Sequence, residues 1–317
     1  MSFIPASVDP FRRGGTPTGV SPAEHGRQRM FWLFVLPALL FYVVFFVAPA
    51  LYGVWVSFLQ WRGTGDPQRF VGFANYKRLW NDEVYRLAFR NSIEILFVCG
   101  IAVFVLSFLV ASVLRELKAK RALQAILFFP YMVSPIAVGI ALSLLMSPDG
   151  IVNASLRFIG LGSLAKLWLT PDLIFSVILV GLVWVSSGFY ITLMMAAIGR
   201  IPPYYYEQSA LDGAGRFRTF WNVTLPLAWD VVSVAVVLWA ISAIKVFEFV
   251  YGLVGTGANP APQSRTLAIA QFLATTGGKP PQYQMGVGSA MAVVMVLLIL
   301  VLVVLLRRVM RRESMDL

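Results

Sequence analysis

Reactive side chains are scarce in this chain, which has a single cysteine, Cys99, and a single histidine, His25. A lone cysteine forms no intramolecular disulfide, and a zinc cluster needs three or four Cys or His ligands. Cys99 lies in an apolar run and His25 in the polar N-terminal stretch, which excludes Cys–His dyads and Ser–His–Asp triads. Paired carboxylates are missing as well. We therefore do not expect an enzyme, and we expect no metal site.

A phosphate-binding loop is also missing. The only Gly-Lys pair is Gly278-Lys279, with Leu273 in place of the upstream glycine and Pro280 in place of the required Ser or Thr. A chain without this loop does not hydrolyse ATP alone. We expect no cofactor in this chain, and any ATP and Mg²⁺ must be bound by a partner subunit.

Charged residues make up only 13% of the chain and hydrophobic residues 58%. A water-soluble domain of this length does not need so much apolar surface, so the composition predicts an integral membrane protein. The net charge of +11 would suggest nucleic acid in a soluble protein. In a membrane protein, Lys and Arg collect at cytoplasmic helix ends near anionic lipid, which is the partner that we predict instead.

Six apolar runs are long enough to cross the bilayer core. The fold class that they predict is an all-α integral membrane protein, with a polar and disordered tail at residues 1–30 and a second tail at 307–317. The membrane domain covers residues 31–306. Its predicted transmembrane helices are 31–59, 92–114, 122–146, 173–198, 229–253 and 286–306. Pro37 and Pro49 are expected to bend the first of these helices, and Pro130 and Pro135 lie inside the third.

Six spans place both termini on one side of the membrane, and the positive-inside rule selects the side. Most Lys and Arg residues fall in the two tails, in the short turn 115–121 and in the loop 199–228. These segments are therefore predicted to be cytoplasmic. The polar connections 60–91, 147–172 and 254–285 are predicted to be outside, the first with a short amphipathic helix at 75–88.

The loop 199–228 is longer than a connection between two helices requires. Pro202 and Pro203 fit a first helical turn, so residues 204–211 are predicted to form a short helix. Gly213 and Gly215 end that helix, and a second amphipathic piece follows. The pattern indicates a helix–turn–helix at the membrane surface, which is either a contact for a partner or a hairpin with no partner.

One set of residues in this loop has a distinctive spacing: Glu207-Gln208-Ser209, Gly213, Val223, Leu225 and Pro226. The set resembles the EAA loop of ABC importer permeases, which reads Glu-Ala-Ala, three residues, Gly, nine residues, Ile-x-Leu-Pro. Only the residues at positions 208, 209 and 223 differ from that pattern. Strings around 71–92, 129–153 and 247–257 extend the resemblance to the carbohydrate-uptake branch, which includes maltose-type, binding-protein-dependent permeases.

The resemblance implies a cytoplasmic coupling helix between the fourth and fifth spans that fits a groove on an ABC ATPase. The residues to which it assigns this role are Tyr205, Glu207, Ser209, Ala210, Leu211, Asp212, Gly213, Leu225 and Pro226. The expected partners are a second permease subunit in a heterodimer, an ABC ATPase dimer and an extracytoplasmic binding protein or lipoprotein, with no nucleic acid. The expected location is the cytoplasmic (inner) membrane of a prokaryote.

A sugar path needs aromatic faces and hydroxyl groups. By analogy with the resembled family, the helices on both sides of the loop line the cavity. The candidates are Trp184, Ser187, Tyr190, Trp239, Ser242, Lys245 and Glu248. Aromatic and serine residues are equally common at helix–helix contacts. Lys245 and Glu248 either line the path or form an interfacial pair at i, i+3 spacing.

The function predicted from these observations is a permease subunit of an ATP-driven importer for a sugar or oligosaccharide, working by alternating access. A permease for glycerol 3-phosphate or a polyol is the alternative within the class. An ATP-independent channel or secondary carrier is the alternative outside it. That alternative requires charged relays in several spans, and this chain has almost none.

Overall fold

The computed structural model describes residues 22–255, 259–278 and 280–311, which are mostly helical. Most of the predicted N-terminal tail and the end of the predicted C-terminal tail lie outside these residues. Contacts between Cα atoms divide the chain into two compact units, Met1–Tyr52 and Gly53–Leu317.

The α-helices, in chain order, are α1 (Pro22–Tyr42), α2 (Ala48–Val56), α3 (Ala74–Asn81), α4 (Glu83–Glu94), α5 (Gly100–Glu116), α6 (Lys120–Met132), α7 (Pro135–Leu145), α8 (Ile151–Phe158), α9 (Ile174–Gly199), α10 (Pro203–Leu211), α11 (Arg216–Thr219), α12 (Leu225–Leu227), α13 (Trp229–Ile244), α14 (Glu248–Val254), α15 (Leu267–Phe272) and α16 (Met285–Met310). Segments of π-helix occur at Val43–Val47, Ile95–Cys99, Phe220–Thr224 and Leu273–Gly277. Short 3₁₀ turns occur at Gly162–Leu164 and Pro262–Ser264. Strands β1 (Leu59–Gln60) and β2 (Arg69–Phe70) pair antiparallel, with Leu59 opposite Phe70.

Within the described residues, four helices are long and apolar enough to cross a membrane: Met30–Val56, Glu83–Arg115, Ile174–Gly199 and Met285–Met310. Two bent helix pairs pass the same test, Lys120–Met132 with Pro135–Leu145 and Arg216–Leu227 with Trp229–Ile244. Counting each pair as one span gives up to six. The number of spans therefore stays a prediction, while the apolar, helical character is confirmed.

Pro135 explains the sharp bend in the third predicted membrane helix. Helices α6 and α7 meet at 95° across Val133 and Ser134. A proline ring disfavours the α conformation at the residue before it, and Ser134 has a ψ of 126°. Pro130 lies inside α6 without ending it. Of the two prolines inside this predicted span, only Pro135 breaks the helix.

The fifth predicted span, 229–253, is not one continuous helix. Helix α13 ends at Ile244, and α14 begins at Glu248. The side-chain hydroxyl of Thr266 donates a hydrogen bond of 2.7 Å to the carbonyl oxygen of Val246, at the break. A side chain from another segment thus satisfies a carbonyl group that lies between the two helices.

The predicted outer connection 60–91 contains two helices instead of one. Asp82 separates α3 from α4, because its Oδ1 accepts hydrogen bonds from the N–H groups of Val84 (2.8 Å) and Tyr85 (3.2 Å). This is an N-cap, which starts a new helix. Helix α4 then continues into the long helix Glu83–Arg115, so the second predicted span begins earlier than residue 92.

The predicted outer loop 254–285 contains the buried helix α15. Ser92 accepts a hydrogen bond of 3.0 Å from the N–H of Leu267, and Asn91 Nδ2 donates to the carbonyl oxygens of Gln263 and Arg265, each at 2.9 Å. Burial lowers the pKa of the Arg265 guanidinium from its usual value, and the Asp82 carboxylate opposes that shift. The segment is therefore a packed structure joined to α4.

Helix α9 lies at the centre of the second unit, where α5, α6, α13 and α14 contact it. Close packing depends on glycine where α7 meets α14. A Cβ on Gly139 would overlap the carbonyl oxygen of Phe249, and a Cβ on Gly252 would overlap that of Ile136. Small residues of this kind let helix backbones approach closely in a membrane protein.

We predict that Gly139→Ala destabilises the protein by about 1–3 kcal/mol, because the added methyl group forces α7 and α14 apart. The measurement is the melting temperature of the purified chain in detergent. Gly53→Ala in α2 is the matched control, since a Cβ there meets no atom within 4 Å. Equal melting temperatures for the two variants would show that the α7–α14 contact is not tight.

Candidate functional site

Residues 203–227 form a helix–turn–helix, called the helical hairpin below. Its first helix, α10, begins with Pro203 at the first position, where the missing N–H costs nothing. Its second helix runs from Arg216 to Leu227 through α11, a π segment and α12. The chain then bends by 78° into α13. The structure thus has the two short helices that the loop was predicted to form.

Gly213 makes the turn between the two helices. Its φ is +69°, and a Cβ there would meet no atom within 4 Å. The conformation, and not a lack of space, therefore favours glycine. The N–H of Gly213 donates to the carbonyl oxygen of Ala210 and that of Ala214 to Ser209, each at 3.0 Å. These bonds satisfy the last carbonyl groups of α10, as in a Schellman cap.

Side-chain hydroxyl groups join the two helices of the hairpin. Ser209 is buried, and its Oγ lies 2.8 Å from Oγ1 of Thr219. One turn away, the Thr224 hydroxyl donates a longer bond of 3.4 Å to the Tyr206 oxygen. The two contacts connect the helices on one side of the turn. Ser209, which replaces an alanine of the resembled motif, therefore has a structural partner.

The end of α10 and the turn present side chains outward. Leu211 is 89% exposed, and Glu207 and Asp212 are exposed next to it. A cavity of 200 Å³ lies between the two helices of the hairpin. Three predicted coupling residues line it: Tyr205, Ser209 and Asp212. Of the other predicted coupling residues, Ala210 is exposed, and Leu225 and Pro226 are half-buried in α12.

Two exposed aromatic residues of the second helix of the hairpin did not figure among the predicted site residues. Phe217 is 78% exposed and Trp221 is 53% exposed. Their ring centroids lie 6.1 Å apart, in an edge-on arrangement. Their i, i+4 spacing in a polar loop was the signal in the sequence, because residues four apart share one face of a helix.

The predicted path residues divide into buried and exposed groups. Tyr190 and Trp239 are buried, with ring centroids 5.8 Å apart. Trp239 Nε1 donates a 2.8 Å hydrogen bond to the carbonyl oxygen of Leu96. Ser187 is buried and donates to the carbonyl oxygen of Val183 in its own helix. These three side chains take part in helix packing, and their contact with a substrate stays a prediction.

Trp184 lines an apolar cavity of 270 Å³ with Trp168 and Leu142, and no other predicted path residue borders that cavity. Ser242, Lys245 and Glu248 are exposed. The helix break lies between Lys245 and Glu248, so the two do not share one helix face as the i, i+3 spacing implied. The structure, which describes both side chains, records no ion pair between them.

A family profile described as binding-protein-dependent transport system inner membrane component matches residues 103–314 of the chain. The diacetylchitobiose uptake system permease protein NgcF of Streptomyces coelicolor is 30% identical over 304 residues, which are 90% of this chain and 83% of that protein. The trehalose/maltose transport system permease protein MalF of Thermococcus litoralis is 29% identical, over 86% of this chain and 91% of that protein.

The fold is similar to a chain of a bacterial ABC transporter involved in the import of the acidic polysaccharide alginate. The TM-score is 0.77 at 22% sequence identity, and the match covers 92% of this chain and 98% of that one. A second structure, of an alginate ABC transporter in complex with an alginate pentasaccharide-bound periplasmic protein, matches with a TM-score of 0.76 at 20% identity. At this identity the likeness establishes the fold.

We predict that Gly213→Ala loosens the helical hairpin, because an L side chain at this φ costs about 1–2 kcal/mol. Hydrogen–deuterium exchange of residues 203–227 should accelerate by about 5–30-fold. Gly215→Ala is the matched control, since Gly215 has a φ of −68° and a Cβ there meets no atom within 4 Å. Faster exchange of equal size in both variants would contradict a role for the left-handed turn.

Proposed function

The chain belongs to the family of binding-protein-dependent transport system inner membrane components, and from this membership we propose that it is a permease subunit of an ATP-driven sugar importer. The cargo class follows from the relatives, whose names describe permeases for diacetylchitobiose and for trehalose or maltose. We propose that the cargo of this chain is likewise a sugar or an oligosaccharide. It crosses the membrane by alternating access.

The observation that carries the coupling proposal is the helical hairpin with its exposed tip. Gly213 occupies the glycine position of the motif and has the positive φ that a sharp helix exit needs. The turn leaves Leu211 almost fully exposed. An exposed apolar side chain on a rigid support is typical of a protein–protein contact. We propose that the partner at this contact is an ABC ATPase.

The residues at the tip have separate roles in this proposal. Leu211 and Tyr205 pack in a groove on the ATPase, and Glu207 pairs with a cation or caps a helix there. Ser209 keeps α10 attached to the second helix through Thr219. Ala210 leaves room for close approach because its side chain is small. Leu225 and Pro226 end the hairpin before the bend into α13.

The proposed mechanism couples ATP binding to movement of the spans. ATP and Mg²⁺ bind to the ATPase dimer and draw its two halves together. The helical hairpin follows the surface that it contacts, and its second helix transmits that movement to α13 across the 78° bend. The ATP-bound state favours one orientation of the spans because ATP binds more tightly to that state. Sugar release follows when the cavity opens inward.

The remaining partners follow from the proposed orientation. With both termini in the cytoplasm, the segments 60–91 and 254–285 lie outside, where a sugar-loaded binding protein or lipoprotein docks. Helix α3, whose outward face is exposed, gives that partner an ordered surface. A second permease subunit completes the path in a heterodimer, in the inner membrane of a prokaryote. Trp184, Ser187, Tyr190, Trp239, Ser242, Lys245 and Glu248 stay the candidates for the path.

We predict that Leu211→Asp removes the ATPase from the purified complex. The 89% exposed side chain makes no contact that folding requires, whereas a carboxylate in an apolar groove opposes docking. The amount of ATPase that co-purifies in mild detergent should fall at least about 10-fold, as expected when a contact hot spot is lost. Mass spectrometry of the purified complex measures it.

Phe158→Asp in α8 is the matched control, because Phe158 is also almost fully exposed, at 91%, and lies in a segment predicted to be outside. This variant should retain the ATPase. Undiminished ATPase in Leu211→Asp would contradict the coupling role. Purification without any ATPase, as a single chain or a homo-oligomer, would favour a channel or secondary carrier instead.

We predict that a binding protein co-purifies with the complex and is stabilised by a sugar or an oligosaccharide. Mass action raises its melting temperature when ligand is present well above Kd. A thermal-shift screen of neutral oligosaccharides against glycerol 3-phosphate and polyols measures the preference. Stabilisation by glycerol 3-phosphate or a polyol alone would reject the sugar assignment and retain the importer.

A further inference from the structure

A second, larger cavity of 640 Å³ lies behind the helical hairpin. The last turn of α5 forms one wall with Ser112, Val113 and Arg115, and the hairpin forms the opposite wall with Arg216, Phe220 and Thr224. Leu211 does not border it. Of the residues that we assign to the ATPase contact, only Ala210 borders this cavity. Its volume is in the range of small-molecule sites in proteins, about 300–1,000 Å³.

Arg115 lies in this cavity over the ring of Tyr206. The carbon at the centre of its guanidinium group lies 4.0 Å from the centroid of the Tyr206 ring. The negative face of the ring attracts the cation and holds it there. The N–H donors that do not face the ring can bind a ligand. The structure records no ion pair between Arg115 and a described carboxylate.

The polar part of the cavity is cationic. Arg115 and Arg216 both line it, and the described residues that border it include no Asp or Glu. Hydroxyl groups of Ser112, Thr219 and Thr224 lie on the same walls. Guanidinium groups bind phosphate through paired N–H donors, and hydroxyl groups bind the remaining oxygens. The chemistry of this part fits a phosphate ester.

The apolar part of the cavity continues along a membrane helix. Val113 lines it and is 61% exposed, and Ile198 and Phe220 add further apolar surface. Arg115 is the last residue of the candidate span Glu83–Arg115. A phosphate bound by Arg115 would therefore lie at the membrane surface, with the apolar wall extending below it into the hydrocarbon region. A free phosphate ion has no group to contact this wall.

We propose that this cavity binds an anionic phospholipid, with its phosphate paired to Arg115 and Arg216 and its glycerol and upper acyl chain against Val113 and Phe220. The cavity of 640 Å³ has room for a headgroup with its glycerol, whereas a free phosphate ion would leave most of it to water. The lipid fills the space between α5 and the helical hairpin. Basic pockets at the cytoplasmic ends of membrane helices bind anionic lipid in this way.

The test compares phosphatidylglycerol with phosphatidylcholine of identical acyl chains, added to the purified full-length chain in a neutral detergent. Native mass spectrometry counts the lipid that stays bound. We expect the wild type to retain phosphatidylglycerol in preference to phosphatidylcholine. The double variant Arg115→Gln/Arg216→Gln should reduce that preference at least about 5-fold, the factor expected for loss of a cation near an anionic lipid.

Arg218→Gln is the matched control. Arg218 belongs to the same short helix as Arg216 and is exposed. It borders the 200 Å³ cavity between the two helices of the hairpin, and not the 640 Å³ cavity. It should leave the preference unchanged, and Arg115→Lys, which retains the charge without the forked guanidinium donors, should reduce it partly. An equal loss in Arg218→Gln would mean that net charge alone attracts the lipid, which would overturn the proposal.

A photoactivatable phosphatidylglycerol locates the lipid in the wild type, independently of whether the variants fold. We expect label on residues 112–115 and 216–224. Label confined to other helices would overturn the proposal. Excess inorganic phosphate in the same experiment distinguishes a free anion from a lipid. If phosphate displaced the bound phosphatidylglycerol completely, a small-anion site would replace the lipid site.

Discussion

Every backbone N–H and C=O group of a membrane-embedded chain must find a hydrogen-bond partner, and this requirement determines where the helices can break. At several breaks a side chain supplies a partner, whereas the break at Ser134 follows from Pro135 and has no side-chain cap. Asp82 caps the start of α4, and Thr266 donates to the carbonyl group of Val246 between α13 and α14. Ser92 accepts from the N–H of Leu267 at the start of α15. Segments distant in the sequence are thereby connected.

In the helical hairpin, too, the backbone groups at the helix ends find hydrogen-bond partners. Its helices are too short to be stable alone in water. Backbone bonds around Gly213 satisfy the carbonyl groups at the end of α10, and the Ser209–Thr219 contact connects the two helices. The hairpin can therefore present Leu211 to a partner on one side and enclose a cationic cavity on the other. In our two proposals, the ATPase contacts Leu211 at the tip and the lipid lies behind the hairpin.

Local sequence signals predicted the helical hairpin well, because proline and glycine act on adjacent residues. Pro203 at the start of α10, Gly213 at the turn and the break at Pro135 all follow from backbone restrictions of single residues. The family and the carbohydrate-permease resemblance are confirmed by the profile and the relatives.

Breaks that depend on distant residues could not be predicted in this way. Nothing near Val246 in the sequence indicates that Thr266 will satisfy its carbonyl group, so α13 and α14 were predicted as one span. Helix α15 was predicted as loop. The contacts that order its start come from Asn91 and Ser92 on α4, which are distant in the sequence. The environments of Tyr190 and Trp239 depend on packing between helices, which hydropathy does not describe.

The central claim is that the tip of the helical hairpin contacts an ATPase. The most direct measurement is to replace Leu211 with a photo-crosslinking amino acid in the native membrane, with Phe158 replaced in the same way as the reference position. The account predicts a covalent adduct with an ATP-binding subunit from position 211 and none from position 158. A complex that retains its ATPase but yields no adduct from position 211 would contradict the account.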